Sequence, residues 1–126
     1  MNICIAGSRN INNPIVIQEA ILKGLLKISL LTNVSFDKKN VVFVVGGAKG
    51  VDIIAEEIVK KDFKTIKIIP DWQTYGKRAG FFRNTEMIKI SDGLIAIWDG
   101  QSKGTKDTIN KAQEKQIPIA VQIMKG

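Results

Sequence analysis

The stretch VVFVVGGAKGVD, residues 41–52, decides the fold. Five apolar residues run without alternation into two glycines, and a helical pattern opens at Val51. An unbroken, β-branched run of this kind marks a strand buried on both faces, as in a parallel sheet. A strand followed so closely by a helix is half of a βαβ unit.

The same unit recurs along the chain. Strands are predicted at 2–6 (NICIA), 41–45 (VVFVV), 66–70 (IKIIP), 93–98 (GLIAIW) and 118–123 (PIAVQI). Helices are predicted between them. From Pro14 to Leu31, the residues Ile17, Ile21, Leu25 and Ile28 recur at helical spacing, and Pro14 suits a first turn. From Val51 to Lys61, Ile54, Ala55, Ile58 and Val59 share one face. A third helix is predicted from Ala79 to Ile90. A polar fourth one, shallowly packed, is predicted from Thr105 to Lys115. Alternating strands and helices with right-handed crossovers give a doubly wound parallel α/β sheet, Rossmann-like, of order 3-2-1-4-5 with helices on both faces. The polar stretch 32–40 is a loop inside one domain spanning 1–126.

In such a sheet, ligands bind outside the carboxyl ends of the strands, where strand order reverses. Glycine, hydroxyl and basic residues gather after those ends. Strand one is followed by Gly7, Ser8 and Arg9, and strand two by Gly46, Gly47, Ala48, Lys49, Gly50 and Asp52. Strand three leads into Trp72, Tyr75, Lys77, Arg78, Arg83 and Asn84. After strand four come Asp99, Gly100, Ser102, Lys103, Gly104 and Thr105. Glycines at a strand-to-helix turn allow close backbone approach, and the amides of a helix start attract an anion. Thr105 is placed to cap the fourth helix. Trp72 and Tyr75 can stack on a base, and the arginines can pair with phosphates. Core burial is the alternative for Trp72 and the favoured reading for Phe81 and Phe82, while Trp98 suits either core or crevice wall. The glycine loop is neither the dinucleotide fingerprint G-x-G-x-x-G nor a Walker A loop.

Composition narrows the chemistry. With no histidine, Ser-His-Asp and Cys-His catalysis are excluded, and the commonest zinc ligand is missing. No metal site and no cofactor are expected. Cys4 is the only cysteine, so no disulfide forms within the chain, which suits a reducing compartment, the cytoplasm. Its apolar neighbours make it a buried small hydrophobe. The net charge of +7 favours anionic partners such as nucleotides, phosphates or nucleic acid. No apolar run is long enough to span a bilayer, so no membrane partner is expected. No basic region precedes an apolar stretch at the start, so no secretory signal is read there.

Taken together, GSR, GGAKGVD, YGKRAGFFRNTEM, DGLIAIWDG and SKGTKDTI resemble the SLOG superfamily. This is the Rossmann-like fold of the DNA-processing protein DprA and the cytokinin-activating LOG enzymes. The resemblance runs from Gly7 to about Ile109 and is nearest to the YspA/cpYpsA-related group of small bacterial and phage proteins. It implies a nucleotide-derived ligand, of ADP-ribose, NAD-derived or cyclic nucleotide type, held by the glycine loops. It also implies a homodimer. Arg83 matches the LOG catalytic arginine in register, and Asp107 stands for one acid of the LOG pair, with Thr108 in place of the other.

Three functions follow. The first is a sensor or sequestering protein for a nucleotide-type signal, as a phage protein would need against a host defence. The second is hydrolysis of an N-glycosidic bond, with Arg83 and Asp107 catalytic and Asp99 or Asp71 as further acids. The third is single-stranded DNA binding across Trp72, Tyr75 and Arg78.

Overall fold

The computed structural model describes residues 1–125. Five strands form one sheet: β1 (Asn2–Gly7), β2 (Val42–Val45), β3 (Lys64–Lys67), β4 (Gly93–Trp98) and β5 (Ile119–Ile123). All four pairings are parallel, and the order is β3-β2-β1-β4-β5, as the alternation predicts. The helices are α1 (Pro14–Thr32), α2 (Val51–Val59), α3 (Trp72–Tyr75), α4 (Ala79–Lys89) and α5 (Lys103–Lys115), with a 3₁₀ turn at Gly76–Arg78. Among the described residues, no helix is long and apolar enough to cross a membrane.

The continuous apolar runs have a direct cause. In β1, Ile3 and Ile5 pack with α1 and α2, while Cys4 and Ala6 pack with α4 and α5 on the other face. Phe43 and Val44 divide in the same way in β2, as do Ile95 and Leu94 in β4. Both faces of each central strand are covered, so neither parity tolerates a polar side chain. Cys4 is fully buried, and burial pushes its thiol well above the ordinary range.

Two expectations shift. The third strand lies at Lys64–Lys67, ahead of the predicted 66–70. Val42 pairs with Lys64 and Val45 with Lys67, so the partner's four residues fix the register. Downstream, Ile69 is exposed, and the chain turns at Pro70 toward α3. The short helix α3 is new. Asp71 caps it by accepting from the Thr74 amide at 3.1 Å.

Candidate functional site

Strand order reverses at β1, which lies between β2 and β4. Ser8, directly after β1, ties the neighbouring loops together and is buried. Its carbonyl accepts from the Val51 amide at 3.3 Å, which is the first amide of α2. Its hydroxyl accepts from the Asp99 amide at 3.0 Å, in the loop after β4. The three loops therefore do converge.

The loop after β2 is closed by the protein itself. Besides the Ser8 carbonyl on Val51, the Asp52 carboxylate accepts from the Ala48 amide at 3.2 Å. The expected free amides at this helix start are thus partly occupied, and Asp52 already meets the positive end of the α2 dipole. Gly50 permits the arrangement. Its φ is +78°, and a Cβ there would stand 2.5 Å from the Arg9 carbonyl oxygen.

The loop after β4 is different. Asp99 Oδ1 accepts from the amides of Gln101 and Ser102 at 2.9 and 2.7 Å, and these bonds hold its carboxyl below the ordinary carboxylate range. The helix then begins at Lys103, two residues before the predicted start. Ser102 is at the N-cap position, so Thr105 lies inside the first turn and is not the cap. Among the described residues, no acceptor meets the amides of Lys103, Gly104 or Thr105. These donors and the dipole of a 13-residue helix are open to an anion.

Between the loops and α4 lies a cavity of about 230 Å³. The face of α4 formed by Gly80, Arg83, Asn84 and Met87 lines it. Arg83 Nη1 donates to the Gly46 carbonyl at 2.6 Å and lies 3.9 Å from Asp52 Oδ2, while Nε donates to Asn84 Oδ1 at 2.9 Å. A Cβ at Gly46 would collide with this guanidinium, which accounts for glycine there. Burial pulls the Arg83 guanidinium down, and the Asp52 charge opposes that. Burial raises Asp52 to about 6 against the lowering influence of Arg83. Among the described residues, Asp52 Oδ1 is the one buried side-chain polar atom with no hydrogen-bond partner.

Of the predicted site residues, Gly7, Arg9, Ala48, Asp52, Trp72 and Lys77 line the cavity with Arg83 and Asn84, and Ser102, Gly104 and Thr105 close its far side. The rest stand outside it. Ser8 and Gly46 hold the loops from within. Lys49, Tyr75, Arg78, Gly100 and Lys103 are exposed on the same edge. Gly47 and Gly50 shape the β2 turn, and Asp99 shapes the β4 turn. Asp107 points elsewhere: its Oδ2 accepts from Lys111 at 2.6 Å and from Asn84 at 3.1 Å. Trp98 is half-buried, packs on the α4–α5 side and donates to the Ser102 carbonyl at 3.0 Å, outside the cavity lining.

The structure corrects the aromatic residues. Phe81 and Phe82 are not core; they are 47% and 44% exposed. Trp72, at 53%, is not core either. The residues of α4 that face the interior are Ala79, Asn84, Met87 and Ile88. Asn84 takes an inward place because its amide donates to the Gly104 carbonyl at 3.3 Å and to Asp107. That rotation turns both phenylalanines outward. Tyr75 packs on Phe82 with ring centroids 4.4 Å apart, and Phe81 and Trp72 reach the cavity mouth. Ala6, Gly80, Phe81, Met87 and Thr108 also line the cavity, though none of them is among the expected ligand-binding residues. Helical spacing from Arg83 was the available signal for Gly80 and Met87, and spacing from Thr105 for Thr108.

No protein-family model matches the chain. Its fold is similar to that of DNA processing protein A from Helicobacter pylori, a structure described for its single-stranded DNA binding mode. The TM-score is 0.67 at 26% identity, over 96% of this chain and 64% of that one. The chain thus spans under two thirds of that protein's length. The likeness confirms a SLOG-type Rossmann-like fold. The chain is also 35% identical over 85 residues to the Gene 61 protein of Mycobacterium phage D29, covering 62% of this chain and 68% of that protein. With more than two thirds of that relative matched at this identity, the chain belongs to the family of the phage D29 Gene 61 protein.

Proposed function

We propose that this protein binds single-stranded DNA along the edge of the sheet where β1, β2 and β4 end. One observation carries the reading: Trp72, Tyr75, Phe81 and Phe82 are all about half exposed on one short segment, beside Lys77, Arg78 and the cavity. Exposed aromatics stack on unpaired bases, and a basic groove follows the backbone. The open amides of α5 and the side chains of Arg9 and Lys77 receive phosphates. The cavity is smaller than the roughly 300–1,000 Å³ that encloses a drug-sized ligand. It takes part of one nucleotide, while the rest of the strand lies across the rim. Likeness to a protein described as a single-stranded DNA binder supports the same reading.

Fluorescence anisotropy with a labelled oligothymidine tests it. Affinity should fall with salt, duplex of equal length should compete poorly, and Trp72→Ala should weaken binding by about 1–3 kcal/mol. Equal binding of single strand and duplex, untouched by Trp72→Ala, would reject it.

A second reading rests on Asp52. Asp52 lines the cavity and its buried Oδ1 has no hydrogen-bond partner, which suits a hydroxyl donor such as a ribose. DNA lacks the 2′-hydroxyl. Under this reading the protein senses or sequesters a small nucleotide-derived ligand, the ligand class that the SLOG resemblance implies. Calorimetry with ribonucleotides, ADP-ribose and cyclic nucleotides separates the two, since tight stoichiometric binding of one of them favours the second. Hydrolysis ranks behind binding, because Asp107 is engaged by Lys111 and Asn84 and does not itself line the cavity.

A further inference from the structure

Helix α1 carries a second apolar stripe on its exposed side, interrupted by Glu19 and flanked by Gln18, Lys23 and Lys27. Ile17, Ala20, Ile21, Gly24 and Ile28 face the sheet and are buried. On the opposite side Ile15, Leu22, Leu26 and Leu30 form one stripe along the axis, with Leu31 at its end, and each is at least 60% exposed. A contiguous stripe of large aliphatic side chains on a folded surface marks an interaction site.

We propose that this outer face of α1 is covered by the same face of a second copy, as an antiparallel pair of helices about a two-fold axis. The helix's own charges and length select that occupant. The midpoint of Pro14–Thr32 is Lys23. Two copies overlapping over their full length therefore bring residues whose numbers sum to 46 level with each other. Glu19, the lone acidic residue of the helix, lies level with Lys27 of the other copy. Ile15 falls within one residue's rise of the other copy's Leu30, and Leu22 within two of its Leu26. Apolar meets apolar, and the carboxylate amid the stripe gains a cation, twice over by symmetry. The parallel alternative sets Glu19 against Glu19 and Lys27 against Lys27, whereas Lys23, at the midpoint, lies level with its own copy in either arrangement. The cavity is lined from α4 and α5, and α1 lies on the other face of the sheet, so the pair leaves it open.

Sedimentation of the full chain without nucleic acid, from low to high micromolar concentration, tests this. Wild type should pass from monomer to dimer. Leu22→Lys with Leu26→Lys should remain monomeric while keeping a native circular dichroism spectrum. Glu19→Lys should weaken the dimer about fivefold, from two exposed ion pairs. Glu19→Lys combined with Lys27→Glu should restore it, because the exchanged charges again face each other. A wild-type monomer at every concentration overturns the proposal, including the case in which another protein occupies the face. A dimer indifferent to the leucine substitutions, or a charge exchange that rescues nothing, overturns it as well. Oligothymidine binding by the monomeric variant reads the cavity separately.

Discussion

Two strand-to-helix turns, GGAKGVD after β2 and DGQSKGT after β4, look alike in sequence and differ in what they leave open. In the first, the Ser8 carbonyl accepts from the first amide of α2, and Asp52 meets the amide of Ala48. In the second, Asp99 satisfies the amides just ahead of the helix, and those of the first turn keep no protein acceptor among the described residues. Both turns use glycine, one to admit the neighbouring backbone and the other to keep a surface clear. A glycine-rich turn therefore predicts close approach, and the approaching group is as readily the protein's own chain as a phosphate.

The sharpest way to break the comparison is at Gly50. Its positive φ and the Arg9 and Ser8 carbonyls, 2.5 and 2.6 Å from an added Cβ, leave no room for a side chain. Gly50→Val should cost about 4 kcal/mol or more, read as a fall in the urea midpoint. An unchanged midpoint would mean that Ser8 and Arg9 do not plug this turn as described.

Next in size is Arg83→Leu. It strips the partner from the Gly46 carbonyl and leaves the Asp52 carboxylate buried without a counter-charge. A loss of about 3 kcal/mol is expected at neutral pH. Much of it should return in the double variant with Asp52→Asn, which removes the stranded charge.

Asp52→Asn alone should act in the opposite direction and depend on pH. Folding raises the Asp52 pKa from 3.8 to about 6, so between those values the native state binds more protons than the unfolded chain. Stability from this group is then greatest below pH 4 and is lost as pH rises through 6. Removing the charge should therefore stabilise the fold above pH 6, by at most about 3 kcal/mol, and the gain should vanish near pH 4. Thermal melts of both proteins across that range read the difference directly.

How far the sequence reveals these features depends on what makes them. The order of the sheet is legible because buried parallel strands need apolar residues of both parities, as in VVFVV and GLIAIW. At the edge that rule lapses. Lys64 and Lys67 need only their backbones to pair, so the apolar IKIIP places the start of the strand two residues late. The convergence of three loops follows from topology, but the Ser8 carbonyl on Val51 is a main-chain contact that leaves no mark on residue type. On α4 the polar Asn84 takes an inward position, and hydrophobicity alone then misplaces Phe81 and Phe82. What escapes is the part of the site held by backbone and by one buried amide.

The smallest effect tests the open turn itself. Gly104 sits in the first turn of α5, and a Cβ added there meets nothing within 4 Å. Its backbone lies outside the left-handed region that Gly50 occupies. Gly104→Ala should therefore not destabilise the fold. It should stabilise it by about 0.5–1 kcal/mol, because alanine loses less backbone freedom in a helix. The same methyl group stands at the cavity wall beside the amides offered to an anion. Oligothymidine affinity should fall while the melting temperature rises, and that opposition is the signature of a surface kept clear for a ligand. If stability and affinity instead rise together, the open amides of α5 take no part in binding, and the phosphate contacts must be sought along the exposed rim of Lys77 and Arg78.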